Sequence, residues 1–266
     1  MLSTKGKGME QRIYRLWDEL ADFDAAKPDA ALNHLLGGLC DIAGAQNAVW
    51  FAGVRMPEAG PQDRLKGWRP KGRHTLFQLP EQKEQNKLIE SRVEAGQVDI
   101  TTLRNISLAG RLRANRLCDL VGEDWFASDY YQVMYRRFGI NDAIWAGCPV
   151  NQDTEVYIGL YRYHDAFQEY DRAQVEAGLR GLKWFHRQQL LSRGLILAES
   201  ALTPTERDVL VSLLKGNTEK FISRCLEQSI HTTHGHVKSI YRKFGVSNRA
   251  RLLSLWLGLE ASQSKD

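Results

Sequence analysis

Toward the C-terminal end of the chain, apolar residues recur at spacings of three and four, and this pattern predicts a series of short amphipathic helices. The first would begin at a capping box formed by Thr203 and Glu206, with Pro204 in its first turn, and would end at Gly216. Its predicted apolar face consists of Val209, Leu210, Leu213 and Leu214. A second helix is predicted from Thr218 to Leu226, with three apolar residues turned inward: Phe221, Ile222 and Leu226.

The third predicted helix, Ile230–Phe244, has two unlike faces, and Ser229 precedes it as a natural N-cap. One face has helical spacing and is expected in the core: Thr233, Val237, Ile240 and Phe244. The opposite face is basic or small: His231, His234, Gly235, Lys238 and Arg242. Gly245 is expected to end this helix, and Ser247 to cap a fourth one with the apolar residues Leu252, Leu255 and Trp256. Two short helices joined by a turn, the second with a basic outer face, suit insertion into the major groove of DNA.

Residues 1–199 change repeatedly between helical and strand periodicity. The first half is predicted to contain a helix ending before Pro28, a helix ending near Gly44, a buried strand over Asn47–Arg55, and strands around Trp68 and over 76–79. A polar helix over 81–96, mixed structure over 98–121 and an aromatic-rich helix over 123–138 follow. The last predicted elements are strands over 142–150 and 155–164 joined by a hairpin, and one long helix from Phe167 to about Ala198. Four arginines of the mixed region are expected at the surface: Arg104, Arg111, Arg113 and Arg116.

This order of elements is typical of an α+β domain, in which an antiparallel sheet is flanked by helices, and an all-α domain of four helices follows it. We predict a disordered start over residues 1–8, the α+β domain over 9–170, a connecting or dimerisation helix over 171–199 and the four-helix domain over 200–266.

The positive charge of the chain is concentrated in the four-helix domain. The chain contains 36 Lys and Arg and 32 Asp and Glu, and residues 200–266 contain ten and six of these. Residues 1–199 therefore hold 26 of each and are neutral. A basic module of this kind is suited to phosphate contacts, which favours double-stranded DNA as its partner.

Three segments of this domain also resemble a known family: Leu202–Leu210, Thr232–Val237 and Lys243–Val246 are similar to the LuxR-type helix-turn-helix of bacterial transcription regulators. The resemblance implies that His234, Gly235 and Lys238 face base edges. It also implies backbone phosphates near Lys220, Thr232, His236 and Arg242. With the flanking polar residues, the candidate DNA-binding set is Lys220, Ser229, His231, Thr232, His234, Gly235, His236, Lys238, Arg242 and Arg249.

The chain departs from that family at the candidate interface. His234 stands where the family usually has Lys, Thr233 where it has Val, and Glu227-Gln228 where it has Gly and a hydrophobic residue. A histidine is mostly uncharged near neutral pH, and Glu227 adds a repulsive charge close to DNA. These departures leave open an alternative function, an interaction protein with weakened DNA binding that acts by pairing with another regulator.

The α+β domain is similar in its order of elements to the GAF- or PAS-like sensor domains found upstream of LuxR-type modules, most clearly over 129–140. The resemblance implies a small-molecule ligand, although the Trp/Tyr/Asp spacing expected of acyl-homoserine-lactone binders is absent. Trp68, Trp125 and Tyr131 are the candidate ligand-binding residues. The other aromatic residues of the domain are expected in the core, because aromatics at strand or helix spacing are usually packing residues.

Other chemistry is not indicated by the sequence. His231, His234 and His236 do not share one helix face, so we predict no metal site, and no phosphate-binding loop or catalytic constellation predicts a cofactor or an enzyme. A third hypothesis is an enzyme within residues 10–197, and no motif supports it. No apolar run approaches the ~20 residues that a membrane span needs, and the four cysteines show no paired spacing. We therefore predict a cytoplasmic, homodimeric transcription regulator.

Overall fold

The computed structural model describes residues 4–56, 60–78, 80–94, 97–198 and 200–258. These residues form two compact units, and each is described by itself. Unit 1 comprises Met1–Ala21 and Leu32–Lys183, and unit 2 comprises Asp22–Ala31 and Trp184–Asp266.

The chain of unit 1 runs through helices, strands and short helical turns in an α+β order. Its elements are α1 (Thr4–Ala21), α2 (Pro28–Ala43, whose first turn groups with unit 2), β1 (Asn47–Arg55), β2 (Trp68–Thr75), α3 (Pro80–Glu94), α4 (Ile100–Ser107), β3 (Arg113–Arg116), α5 (Leu117–Leu120), a 3₁₀ turn (Glu123–Ala127), α6 (Asp129–Met134), a second 3₁₀ turn (Arg136–Phe138), β4 (Asp142–Asn151), β5 (Thr154–Arg162) and α7 (Glu169–Leu179).

Five antiparallel strands form one sheet in the order β2-β1-β5-β4-β3. The predicted hairpin of β4 and β5 lies near the middle, with Ile144 opposite Leu160. Because side chains alternate along a strand, the sheet has two unlike faces. One face is completely buried and mostly aliphatic: Ala48, Trp50, Ala52, Ile144, Ala146, Val156, Ile158 and Leu160. The other face carries aromatic residues and glycines, and it positions the cavity described below.

Unit 2 continues with α8 (Lys183–Ser192), whose first residue still belongs to unit 1, and with the four helices predicted for the C-terminal domain. These are α9 (Pro204–Leu214), α10 (Glu219–Cys225), α11 (Ile230–Lys243) and α12 (Arg249–Trp256). The predicted α+β domain followed by an all-α domain of four helices is therefore confirmed. The finer resemblance to GAF- or PAS-like domains stays a prediction.

The long helix predicted from Phe167 to about Ala198 is wrong. The structure has α7 and α8 instead, separated at Arg180–Leu182, and 193–198 are turns and bends. Leu182 is buried in this break beside Gly181, where an added Cβ would lie 3.5 Å from the Trp17 ring. The break therefore packs beside Trp17 of α1, and the helical periodicity of the sequence, which continues through 180–182, does not reveal it.

Three further predictions differ from the structure. The aromatic-rich helix over 123–138 is interrupted, because Ser128 takes an extended conformation and caps α6 by accepting a hydrogen bond from the Tyr131 amide. Residues 76–78 are not a strand, and Leu79 lies outside the described residues. Of the predicted disordered start, Thr4–Gly8 belong to α1, and 1–3 lie outside the described residues. Among the described residues, no helix combines the length and the apolar character required to cross a bilayer.

Candidate nucleic-acid interface and ligand cavity

Each helix of the C-terminal module begins at a side-chain cap. Thr203, Thr218 and Ser229 accept hydrogen bonds from backbone amides in the first turns of α9, α10 and α11. The sequence predicts Thr203 and Ser229 as caps, whereas Thr218 was predicted as the first residue of its helix and instead precedes it as the cap. The fourth cap differs from the prediction, because Asn248 and not Ser247 accepts from the Arg251 amide at the start of α12. Helix boundaries in this module thus follow from local hydrogen bonding.

The inner face of α11 is the one that the sequence predicted: Thr233, Val237, Ile240 and the C-cap residue Phe244 are buried. In α9, Val209, Leu210 and Leu213 are buried and Leu214 is half-buried. Phe221 was predicted in the core but is 50% exposed. The seven-residue α10 turns one narrow face inward, and Ile222 occupies it with no exposed surface.

A buried carboxylate joins the start of α9 to the end of α11. Glu206 Oε2 accepts hydrogen bonds from the Lys243 ammonium at 2.7 Å and from the Thr203 amide at 2.8 Å, and Oε1 accepts one from the Ser239 hydroxyl at 2.7 Å. Burial by itself raises the pKa of Glu206, but these hydrogen bonds and the nearby charge of Lys243 outweigh it and lower the pKa to about 2. The Glu206 network therefore fixes α11 against α9.

Most of the predicted DNA-binding residues lie on one accessible surface of this module. Seven residues of α11 and its cap form it together with one residue of α10, and all eight are exposed: Lys220, Ser229, His231, Thr232, His234, Gly235, Lys238 and Arg242. His236 is half-buried. An added Cβ at Gly235 would meet nothing within 4 Å, so a large partner could approach the backbone there. We refer to these nine residues as the α11 surface.

Arg249, the tenth candidate, has a structural partner instead. Its guanidinium donates hydrogen bonds to the Leu213 carbonyl and, at 2.9 Å, to the Asn217 carbonyl. Leu213 lies in the last turn of α9, where backbone acceptors lack regular helical partners, and Asn217 lies between this helix and α10. Arg249 thus ties α12 to α9, and its geometry does not favour a phosphate contact.

The turn between α10 and α11 is strained at the position where the chain departs from its family resemblance. Glu227 has a φ of 52°, in the left-handed region that glycine adopts without cost. Its side chain is exposed. The turn is held by hydrogen bonds from the Glu227 amide to the Arg224 carbonyl at 3.3 Å and from the Gln228 amide to the Ser223 carbonyl at 3.0 Å.

No group of three or more His, Cys, Asp or Glu side chains in the described part of the chain is placed to hold a metal ion. One histidine of α11 has a different partner. His234 Nδ1 lies 2.9 Å from Glu219 Oε2, across the gap between α11 and α10.

Unit 1 contains a cavity of about 150 Å³ between the aromatic face of the sheet and the helices α3, α4 and α6. Its walls are mainly aromatic and aliphatic, with a few polar side chains: Phe51, Gly53, Leu65, Trp68, Arg69, Pro70, Arg73, Gln85, Ile89, Thr101, Thr102, Asn105, Ile106, Tyr130, Met134, Tyr135, Trp145, Tyr157 and Tyr161. Burial raises the pKa of Tyr161 to about 12, so its hydroxyl is a neutral hydrogen-bonding group. Such a cavity can enclose a small, mainly apolar molecule.

Of the three predicted ligand-binding residues, the structure places Trp68 on the cavity wall and the other two behind it. Trp125 donates a hydrogen bond to Asp99 at 3.1 Å, and Tyr131 donates one to the Asn141 carbonyl at 2.7 Å. Their rings pack against each other with centroids 5.4 Å apart, and both pack against Tyr135, which does line the cavity. Trp125 and Tyr131 therefore support the wall from outside.

Glycines in the strands make room for the flat side chains of the cavity floor. An added Cβ at Gly53 would lie 2.7 Å from the Tyr157 ring, and one at Gly159 would lie 2.6 Å from the Trp145 ring. Both rings therefore lie directly over the backbone of the neighbouring strand. These residues were not predicted to line a ligand site, although Tyr157, Gly159 and Tyr161 alternate along β5 and thus indicate one face with aromatic rings and a glycine.

A buried ion pair supports the cavity at the β3 edge of the sheet. Arg113 Nη2 lies 2.9 Å from Glu155 Oε2 and donates to the Asn105 carbonyl at 2.8 Å and to the Tyr157 hydroxyl at 3.4 Å. Asn105 and Tyr157 both line the cavity. The prediction that Arg113 is at the surface is wrong. Arg113 is buried because it pairs with Glu155 across the intervening strand β4, and the sequence alone does not show this pairing.

Comparison with known proteins bears on the C-terminal module. Residues 200–256 match the family model GerE, described as bacterial regulatory proteins, luxR family. The resemblance of this segment to a LuxR-type module is therefore confirmed. Among curated proteins, none matches the chain significantly.

Several solved structures are similar to the chain. One is SdiA in complex with octanoyl-rac-glycerol, with 12% identity, 96% of this chain and 95% of that chain covered, and a TM-score of 0.48. Escherichia coli SdiA in the space group P6522 has 12% identity, coverage of 94% of this chain and 98% of that chain, and a TM-score of 0.42. The VqsR LBD domain from Pseudomonas aeruginosa has 15% identity, coverage of 70% and 98%, and a TM-score of 0.45. These similarities are too distant to transfer a ligand or a mechanism.

The cavity floor predicts the effect of Gly159→Ala. The new Cβ would overlap the Trp145 ring, which must then move away from the strand, and we expect a loss of about 1–3 kcal/mol in the free energy of unfolding. Urea denaturation with a near-ultraviolet circular dichroism spectrum checks both effects. Gly37→Ala is the matched control, because an added Cβ there meets nothing within 4 Å. Unchanged stability and spectrum for Gly159→Ala would contradict the packing described.

The Glu206 network predicts a pH-dependent stability of the C-terminal module. The pKa of Glu206 is lowered on folding, so its contribution is fully present above about pH 4.5 and disappears as the pH falls toward 2. Glu206→Gln should cost about 3 kcal/mol at pH 7 and less than half of that at pH 3. Hydrogen–deuterium exchange of peptides from α9 and α11, comparing variant and wild type at each pH, measures this difference.

The control for this prediction is Glu227→Gln, which removes an exposed carboxylate outside the network. It should leave the exchange of α9 and α11 unchanged at both pH values. A Glu206→Gln penalty that is equal at pH 7 and pH 3 would show that the charge of Glu206 is not the stabilising feature.

Proposed function

We propose that the protein is a DNA-binding transcription regulator in which α11 enters the major groove and the cavity of unit 1 takes up a small molecule that controls this binding. The observation that carries the proposal is that the LuxR-family segment, residues 200–256, folds as four capped helices with the α11 surface exposed. We also propose that the chain is divided into a sensor domain, a connecting segment over 171–199 and a DNA-binding domain over 200–266.

In this function the α11 surface is divided between bases and phosphates. His234, Gly235 and Lys238 reach base edges from the exposed side of α11. The flanking residues contact the backbone: Lys220, Ser229, His231, Thr232, His236 and Arg242. The bare backbone at Gly235 supports a close approach to the groove. Arg249 is left out of the contact set because its guanidinium already serves the end of α9.

We further propose that the protein acts as a homodimer in the cytoplasm, where bacterial DNA is accessible. Two copies of α11 would then lie about 34 Å apart, one turn of the double helix, and would read the two halves of a palindromic operator. A ligand that binds one conformation of unit 1 more tightly would shift the population toward that conformation and change DNA binding.

The cavity limits the size of that ligand. A cavity of about 150 Å³ accommodates a molecule about as large as a single aromatic ring with small substituents, unless the walls move. The aromatic walls favour an apolar or flat body. Native mass spectrometry of the purified protein tests this proposal: a mass increment lost on denaturation supports it, and an unliganded mass together with no thermal shift against small aromatic compounds contradicts it.

The alternative function, an interaction protein with weakened DNA binding, is favoured by two acidic side chains close to α11. Glu227 is exposed in the strained turn, and Glu219 contacts His234. Both would repel phosphates. A gel-shift against random-sequence DNA over a salt series separates the two functions, because phosphate-driven binding strengthens steeply as salt falls. Absence of binding even at low salt would leave only the alternative.

For the DNA-binding function we predict that Lys238→Ala weakens binding to the cognate operator by about 1–3 kcal/mol, because a base contact is lost. Fluorescence anisotropy on cognate and scrambled duplexes measures it. Lys215→Ala removes another exposed lysine of the same module, at the C-cap of α9, and should change both affinities little. An equal loss on both duplexes for Lys238→Ala would identify Lys238 as a phosphate contact instead.

A further inference from the structure

The contact between Glu219 and His234 joins α10 to the exposed surface of α11. Glu219 Oε2 lies 2.9 Å from His234 Nδ1, and about half of the His234 side chain (49%) remains exposed. Glu219 is 34% exposed. Glu219 is the first residue of α10 and His234 is the fifth residue of α11, and the two are 15 positions apart in the chain, so the pair forms only when the module folds.

The chemistry of this contact determines which nitrogen of His234 carries the proton. An ionised carboxylate only accepts hydrogen bonds, so Nδ1 must be the donor. In the neutral imidazole the second nitrogen, Nε2, then has a free lone pair and acts only as an acceptor. Nε2 lies on the other side of the imidazole ring from the bond between Nδ1 and Glu219. On α11 itself, His231 and Lys238 lie one turn away on either side of His234, and His236 is two positions further along the helix.

We propose that Glu219 is a positioning residue that fixes His234 in the tautomer with a proton on Nδ1, so that Nε2 accepts a hydrogen bond from the exocyclic amino group of adenine or cytosine. This inference rests on the proposed DNA-binding function and adds a specificity to it. In the major groove only adenine and cytosine offer an amino donor, whereas guanine and thymine present carbonyl oxygens that would face the Nε2 lone pair. His234 thereby discriminates adenine and cytosine, whose amino groups lie in the major groove, from guanine and thymine.

A purely mechanical role for the pair is a weak explanation. A half-exposed contact between two surface side chains contributes little to stability, and a carboxylate beside DNA lowers affinity for every sequence. A fixed His234 tautomer gives the Glu219 carboxylate a function, because the fixed tautomer makes the protein selective at one base position. A lysine at position 234 would lack this property, since an ammonium group only donates.

The tautomer can be tested without DNA. In the full-length protein at pH 8, where free histidine is uncharged, the ¹⁵N chemical shifts of the His234 ring should show the proton on Nδ1. Glu219→Ala should shift the ring toward a mixture of both tautomers. A ring that carries its proton on Nε2 in the wild type would overturn the proposal, whatever the protein binds.

The specificity is tested by selecting binding sites from random-sequence DNA at pH 8 with four full-length proteins. The wild type should enrich adenine or cytosine at one position of each half-site, with a preference of about fivefold or more over guanine. His234→Lys should replace this preference with guanine. Glu219→Ala should reduce it severalfold at that position and leave the other positions unchanged.

Glu227→Ala is the matched control, because it removes an exposed acid from the same module without touching His234. Both acid-to-alanine variants should bind all DNA somewhat more tightly, but only Glu219→Ala should change the base preference. If no sequence is enriched by the wild type, the proposed function fails. If sites are enriched and the preference at that position is the same in Glu219→Ala and the wild type, the positioning role of Glu219 is refuted while DNA binding stands.

Discussion

The C-terminal module depends on the buried carboxylate of Glu206. It accepts hydrogen bonds from Thr203 at the start of α9 and from Lys243 and Ser239 near the end of α11, residues that are far apart in the chain. A buried carboxylate without partners would be costly, so the fold requires all of these groups to be present together. Because the network holds α11 at one angle, its apolar face stays in the core and the α11 surface stays outside.

In unit 1 the corresponding constraint is steric. Tyr157 and Trp145 can lie flat over the sheet only because Gly53 and Gly159 have no side chain beneath them. The space above these rings becomes a cavity instead of being filled by side chains of the sheet. The buried pair of Arg113 and Glu155 holds the β3 edge in place and reaches the cavity through the Asn105 carbonyl and the Tyr157 hydroxyl. A small molecule taken up by this cavity, as we propose, would therefore contact residues that are already held by this packing and these hydrogen bonds.

Carboxylates in the C-terminal module differ in role because they differ in burial. Glu206 is buried among donors and stabilises the helix arrangement, whereas Glu219 and Glu227 lie near the surface that we assign to DNA. Each of the latter two lowers the general attraction of the module for phosphates. Binding of this module to DNA would then depend more on base contacts and less on charge than in a module with lysine at position 234. The net positive charge over residues 200–266 remains as the attraction that brings DNA to the surface.

The sequence alone determined the features that depend on neighbours in the chain. Capping residues at 203 and 229, the core face of α11 and the β4–β5 hairpin all follow from spacings of a few residues, and the charge of the last domain needs only counting. The tertiary structure alone decided the break between α7 and α8, the role of Arg249, the burial of Arg113 and the cavity wall that includes Trp68 but not Trp125 or Tyr131. These depend on contacts between residues tens of positions apart. Periodicity records which way a side chain faces on its own helix or strand, but not which distant group it meets there.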